Sequence, residues 1–358
     1  MGRKRRFIPE NEDGVLVEVS CRTIGGLALL RPSRKLPEIT AGVLGRALEI
    51  SPLEVSALFF ASNHYHMHLI VHDQQSLTRF MGHFQANLAK EAGRLIEWQG
   101  KVWSRRYDGI VVSDEPEAQW ARLKYVLAGG VKEGLVESPL DWPGLHCARA
   151  LITGEPLVGH WFNRTKEWAA RRRGEEYGTY DYATKYEVPL APLPCYRHLS
   201  PEAYQNEVLK LIEEIQNEAA VARDGRPVLG VEAILRQDPL KRPTVKRPSR
   251  SPRPQFHVAT REALDELKGE FAEFDLRYEL ASEALRTGDL GAARRFPPGC
   301  YPPALAFNGP PPPPRPPRPP TRGITISETG VVERGPIPVV KIQTRYQSVE
   351  LRCRGQPP

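Results

Sequence analysis

The sequence is poor in the features that hold chains in membranes or staple small secreted domains. It has no run of about 18 apolar residues, which excludes a membrane-spanning helix. Its five cysteines, Cys21, Cys147, Cys195, Cys300 and Cys353, are odd in number, widely spaced and without a C-x-x-C pair. Neither a disulfide framework nor a cysteine zinc site is encoded, and a reducing, cytoplasmic setting is expected. The basic start, Arg3-Lys4-Arg5-Arg6, is not followed by an apolar stretch, so secretion is not expected. Proline is scarce where a compact domain needs regular ladders: only seven of the 35 prolines precede residue 150.

What is present divides the chain. At 358 residues and a net charge of +7, it is long enough for two domains and compatible with a polyanionic partner. The first 150 residues carry 19 basic and 17 acidic side chains, so any basic groove there must arise from clustering. The expected organisation is a domain over 1–147, a mainly helical extension over 148–238, and a basic proline-rich linker over 239–256. A helical segment over 257–300 and a proline-rich, disordered tail over 301–358 follow. Pro239–Pro254 carries six basic residues and no acid. Gly309–Pro320 has nine prolines in twelve residues, a polyproline II composition. Ser200-Pro201 opens an amphipathic helix with Val208, Leu211, Ile212, Ile215 and Ala219 on one stripe. A second starts near Thr260 with Leu264, Leu267, Phe271, Phe274 and Tyr278.

The first 150 residues alternate element types. Val15–Thr23 reads as a strand, Pro37–Ile50 as a helix, and Leu53–Val71 as two strands broken near Ala61-Ser62-Asn63. A helix over Ser76–Trp98, a strand over Val102–Val112 and a helix opening at Ser113-Asp114-Glu115-Pro116 complete a β-α-β-β-α-β-α order. This predicts an α+β fold: a ferredoxin-like antiparallel sheet with helices on one face.

Four of nine histidines, His64, His66, His68 and His72, fall in nine residues at every second or fourth position. Strand alternation puts Tyr65, Met67, Leu69 and Val71 on one face, against the helices, and every histidine on the other, expected to be open. Imidazoles two apart are separated by about 6.7 Å along a strand and can share one ion; four apart, about 13 Å, they cannot easily do so. The residues alone leave open a His64–His66 pair, a His66–His68 pair, and a merely solvated face. On Glu117–Ala128, Tyr125 lies off the stripe of Trp120, Leu123 and Leu127, on a face of small residues, Ala118, Ala121 and Ala128, with Arg122 beside it.

Taken in order, these features resemble the REP-associated tyrosine transposases, single-tyrosine HUH transposases of the smallest bacterial insertion sequences. Ser62-Asn63-His64-Tyr65-His66 is similar to the family's N-H-x-H strand, and Val102-Trp103-Ser104-Arg105-Arg106-Tyr107 to its W-x-R-x-Y strand. Arg122-Leu123-Lys124-Tyr125-Val126 is similar to its tyrosine helix, and Val131–Val136 and Asp141-Trp142-Pro143 to the sequel. The resemblance covers about two-fifths of the chain. It implies an enzyme that cleaves and rejoins single-stranded, hairpin-bearing DNA through a 5′-phosphotyrosine on Tyr125. It also implies a divalent ion, Mg²⁺ or Mn²⁺, on His64 and His66, and a nucleoid-associated location. DNA contacts are expected from Arg105, Arg106, Arg122, Lys124 and Lys132, with Trp103 and Tyr107 as stacking partners and Arg3–Arg6 and Pro239–Pro254 as additional phosphate contacts. Asn63 is expected to hold the strand bend. One position departs from the pattern. Gly129 stands where relatives carry Asn or Gln as a third ligand, and the Gly129-Gly130 pair is expected to fray the helix and leave Tyr125 mobile. That departure keeps a non-catalytic, repurposed DNA-binding protein as an alternative. A histidine-ligated metal hydrolase is the other, disfavoured by the lack of any acid from His64 to His72.

Overall fold

The computed structural model describes residues 7–243, 255–298, 300, 302 and 339–341. The Arg3–Arg6 arm, most of the Pro239–Pro254 segment and Gly309–Pro320 lie outside them. In chain order the elements are β1 (Val15–Arg22), α1 (Leu36–Ile50), β2 (Glu54–Phe60), β3 (His64–Val71), α2 (Gln74–Leu95), β4 (Asp108–Val112), α3 (Pro116–Leu127) and α4 (Ala148–Thr153). There follow β5 (Leu157–Phe162), α5 (Arg164–Arg172), β6 (Ala183–Val188), α6 (Pro201–Arg223), α7 (Val231–Leu235), β7 (Phe256–His257), α8 (Arg261–Arg286) and β8 (Val339–Lys341).

The main sheet runs β2-β3-β1-β4-β7, and its first four strands are antiparallel in the ferredoxin-like order. The helices expected on one face are there. α1 and α2 cover Tyr65, Met67 and Leu69, all fully buried, and the Tyr65 hydroxyl accepts a 2.8 Å bond from Gln85 of α2. Asp73 caps α2 by accepting from the Ser76 N–H at 2.7 Å. The strand expected over Val102–Val112 is shorter. Trp103 makes only an isolated bridge to Thr23, and its indole donates to the Gln85 carbonyl at 2.9 Å, turned toward the core.

Both edges of the sheet are covered. Phe60 N–H donates to Leu145 and Cys147 N–H to Leu58, so residues 145–147 line the free side of β2. On the other edge β7 pairs in parallel with β4. Covered edges do not offer unpaired backbone to another chain.

The later residues do not form separate modules. The extension expected to be mainly helical contains β5 and β6, and this hairpin packs on the outer side of α1. The approach is backbone to backbone: a Cβ at Gly42 would overlap the His160 carbonyl, and one at Gly159 the Glu38 carbonyl. α1 therefore lies between two sheets. α6 buries Tyr204, Val208, Leu211, Ile212 and Ile215, and Ser200 caps it as expected. The helical segment expected over 257–300 packs onto the first domain. β7 extends its sheet, and Phe271 and Phe274 of α8 pack on Phe7 at 5.8 and 5.5 Å between ring centres. The core is continuous from Phe7 to Phe256 because the expected boundary at 147 crosses packed side chains. Most of the tail beyond 301 lies outside the described residues, but Val339–Lys341 pairs in parallel with β6, contrary to the expectation of a structureless segment.

Phe7 is buried against three rings from the chain's far end. Replacing a buried Phe by Ala costs about 3–5 kcal/mol. Phe7→Ala is expected to lower the urea midpoint of the whole chain in one transition. A separate early transition with an unchanged main one would mean that α8 folds independently.

Candidate functional site

The register of the central strands assembles the site. Residues opposite one another in antiparallel strands share a face. His64, His66 and His68 stand opposite Arg22, Ser20 and Glu18 of β1, and Phe59 of β2 stands opposite His66. The histidine face is not open. α3 lies across it, with Ala118 and Gln119 buried against the sheet and Arg122 and Tyr125 further along the same stripe. Of the small residues that marked this helix face, Ala118 is buried while Ala121 is exposed.

His68 is fully buried, with Nε2 3.7 Å from Glu18 and neither ring nitrogen hydrogen-bonded. This leaves the His66–His68 pairing without access to a ligand. His64 and His66 are half-buried, with ring centres 5.2 Å apart. Each has its Nδ1 engaged. His64 Nδ1 lies 2.7 Å from the Asn63 side-chain oxygen, and His66 Nδ1 lies 2.7 Å from a Glu18 carboxylate oxygen. Both partners are acceptors, so both Nδ1 atoms carry the proton and both Nε2 lone pairs are left for a ligand. Asn63 thus does more than hold the bend: it orients His64, besides donating to the Gly26 carbonyl at 3.3 Å. The pair fits two positions around a divalent ion.

The third position is closed. Gly129 follows the end of α3, and a Cβ there would run into the ring of Phe59. That ring is wedged edge-on against His64, Trp142 and His146 at 6.3, 5.1 and 5.3 Å between centres. Apolar surface occupies the space that a ligating side chain at 129 would need. Among the described residues, no group of three His, Cys, Asp or Glu is placed to hold a metal.

Tyr125 is 40% exposed, and its ring meets His66 edge-to-face at 5.3 Å. The Arg122 guanidinium stands 4.5 Å from its centre and the Lys132 ammonium 3.3 Å. The glycine pair produces this second contact rather than fraying the helix. Gly130 takes φ +84°, a left-handed turn that folds the chain back, and Lys132 donates to the Tyr125 carbonyl at 3.3 Å. The ring is held on three sides. Burial raises the Tyr125 pKa, as does the Glu18 charge, while Arg122 opposes the rise. Burial lowers that of Lys132.

Glu18 and Asn63 are the residues that sequence reading left out of the site. Glu18 is 1% exposed, and both Nε and Nη2 of Arg122 donate to it, the former at 2.6 Å. Burial would raise its pKa, yet the hydrogen bond from His66 and the nearby imidazoles of His66 and His68 hold it well below the usual carboxylate range. A signal was available: a lone charge inside the apolar strand Val15-Leu16-Val17-Glu18-Val19 requires a partner. The expected DNA contacts separate into two groups. Arg122 is tied to Glu18, and Lys124 turns away to Glu214 and Glu218 of α6, 2.7 Å each. Arg105 is exposed, beside Asp108 at 2.7 Å; Arg106 lies over the Tyr107 ring; Lys132 faces Tyr125. Tyr107 is itself buried, which removes it as a stacking surface.

Buried imidazoles link this site to acid stability. Burial pushes His64 from the ordinary 6.5 down to about 3, helped by repulsion from His66, Arg22 and Lys132, and burial pushes His146 down to about 4. Between those values and 6.5 the unfolded chain binds more protons than the folded one. The stability these groups contribute is therefore complete above pH 6.5 and is lost as pH falls toward 4. The melting temperature is expected to drop over that window, and His146→Asn to flatten the drop; a melting temperature constant from pH 7 to 4.5 would contradict it. For the closed position, Gly129→Gln should destabilise the fold, and Phe59→Ala should relieve part of that cost. The coupling expected in a double-mutant cycle is about 0.5–3 kcal/mol, read by urea unfolding.

No protein-family model matches the chain, and no curated protein does. Among solved structures, similarity is found to a REP-associated tyrosine transposase bound to a REP hairpin, with TM-score 0.32 and 16% identity over 43% of this chain and 87% of the other. A second similarity is to a structure assigned as a transposase from Deinococcus radiodurans R1, with TM-score 0.25 and 17% identity over 34% of this chain and 94% of the other. Neither is close enough to transfer a fold or an activity.

Proposed function

We propose that the chain is a transposase-like enzyme that cleaves and rejoins single-stranded, hairpin-bearing DNA through a covalent bond to Tyr125. The observation that carries this reading is the juxtaposition of one clamped, part-exposed tyrosine with two histidines whose Nε2 atoms are left free. Attack by the Tyr125 oxygen forms an O–P bond and breaks the bond from phosphorus to the 3′ oxygen. The phenol releases a proton and the departing 3′ oxygen gains one, leaving a 5′-phosphotyrosine and a 3′-hydroxyl. The linkage conserves the phosphodiester bond energy, so the reverse attack by another 3′-hydroxyl rejoins DNA without a nucleotide cofactor. A divalent ion held by His64 and His66 would supply charge neutralisation at the phosphate; imidazole donors favour Mn²⁺ over Mg²⁺. Arg122 and Lys132 flank the ring and favour the anionic phenolate that burial disfavours.

DNA binding without cleavage is the second reading, and the Phe59 ring in the third ligand position favours it. The two separate on a denaturing gel after incubation with hairpin DNA carrying a single-stranded flank and Mn²⁺. Wild type is expected to form a covalent adduct. Tyr125→Phe should lose it by about 10⁴-fold or more while keeping hairpin affinity within a few-fold. Binding with no adduct in wild type would leave the second reading standing.

Five basic contacts, the number expected from sequence, would give a slope of log K against log salt of roughly −3 to −4 on single strands. With Arg122 held by the buried Glu18 and Lys124 by two carboxylates at once, Arg106, Lys132 and Arg105, whose single surface pair with Asp108 can yield to phosphate, remain, and the expected slope is roughly −2. Fluorescence anisotropy across a salt series measures it. Tighter binding to full duplex than to the flanked hairpin would overturn the single-stranded assignment.

A further inference from the structure

We propose that Glu18 is a positioning residue whose single carboxylate sets both the ligand-facing tautomer of His66 and the seat of the helix that carries Tyr125. The proposal rests on the reading of Tyr125, His64 and His66 just given and deepens it. Its basis is a division of labour between two oxygens. Glu18 Oε1 accepts from His66 Nδ1 at 2.7 Å, and Oε2 accepts from Arg122 Nε at 2.6 Å and from Nη2. His66 belongs to β3 and Arg122 to α3, three residues before Tyr125. Arg122 also lies against the Tyr125 ring, 4.5 Å from its centre, so beside the direct contact of the His66 and Tyr125 rings a second link between them passes through this carboxylate. All of it is shielded from water: Glu18 is 1% exposed and the side chains of His66 and Arg122 15% each. A carboxylate oxygen can only accept, which fixes the proton on His66 Nδ1 and, in the neutral ring, leaves the lone pair on Nε2. The guanidinium, donating through two nitrogens to that one oxygen, ties α3 to the sheet.

An amide cannot do both. Glu18→Gln has one accepting oxygen and one donating nitrogen. If the nitrogen faces Arg122, two donors collide and a buried cation loses its partner. If it faces His66, Nδ1 must accept, the proton moves to Nε2, and the lone pair facing the ligand is lost. Removing the guanidinium as well releases the conflict. In Glu18→Gln/Arg122→Met the amide oxygen is free to accept from His66, while α3 loses its tether. Deleting the buried cation together with its counter-charge also protects against simple misfolding.

The test uses the full-length chain with ¹⁵N-labelled histidine. Imidazole NMR without metal reads the tautomer of His66, Mn²⁺ titration by electron paramagnetic resonance reads affinity, and adduct formation with flanked hairpin DNA reads the nucleophile. Glu18→Gln is expected to lose the Nδ1–H signature of His66 and about 10–100-fold of Mn²⁺ affinity. The double variant should regain the signature and Mn²⁺ affinity within a few-fold of wild type, yet form the adduct at least tenfold more slowly. An unchanged tautomer and unchanged Mn²⁺ affinity in Glu18→Gln would overturn the proposal. So would a double variant that forms the adduct at the wild-type rate. A wild-type chain that shows the His66 signature but forms no adduct would instead sink the functional reading, and the two failures are told apart by the NMR signal.

Discussion

A carboxylate on the central strand of a sheet, almost sealed from water, is the constraint on which the arrangement of this protein turns. Burying an unpaired carboxylate costs far more than one helix's packing can return, so Glu18 is compatible with the fold only where donors reach it. His66 and His68 come from the neighbouring strand and therefore require the β1–β3 register observed. Arg122 comes from α3 and therefore requires that helix to lie across the histidine face instead of leaving it to solvent. A one-residue slip of β3 would turn every histidine to the α1–α2 side and leave Glu18 without its imidazole partners. The same contacts that make the buried charge tolerable bring Tyr125 against His66.

Around this pair the later parts of the chain act as packing. β7 and α8 close one edge of the sheet and cover Phe7; residues 145–147 close the other. The β5–β6 hairpin holds α1 from outside, close enough that only glycine fits at positions 42 and 159. Phe59 illustrates how packing and chemistry trade places. Its ring fills the space beside Gly129 and supports His64, Trp142 and His146. The protein thereby gains a dry wall for the histidine pair and loses a protein ligand, which makes water and phosphate oxygens the remaining donors to any ion held there.

The charges are likewise divided by geometry more than by composition. Of the basic side chains near Tyr125, Arg122 and Lys124 are neutralised by carboxylates, one pair buried and one at the surface. Arg105 is paired with Asp108 at the surface, Lys132 has Glu133 at 3.9 Å, and Arg106 is half-buried over the Tyr107 ring. Cations over the Tyr125 ring offset part of the burial that holds its proton.

Local pattern alone determined most elements before residue 130, together with α6 and α8, but not the β5 and β6 strands. Period-two alternation in His64–Val71 separated the histidines from the core residues, 3.6 periodicity placed α1, α2, α6 and α8, and Ser200, Thr260 and the Ser113–Pro116 run marked helix starts. These signals lie within a few residues of one another, so the sequence carries them directly. The partners of those elements were decided only by tertiary structure. That α3 covers the histidine face, that β7 joins the first sheet across about 140 residues, and that Lys124 turns to α6 depend on contacts between distant segments, which no local period encodes. Gly129 could be read from the sequence as a missing ligand, but only packing showed that Phe59 stands in its place. Glu18 was visible as a misplaced charge. Which side chains answer it was settled when strand pairing and helix docking put His66 and Arg122 within reach of its two oxygens.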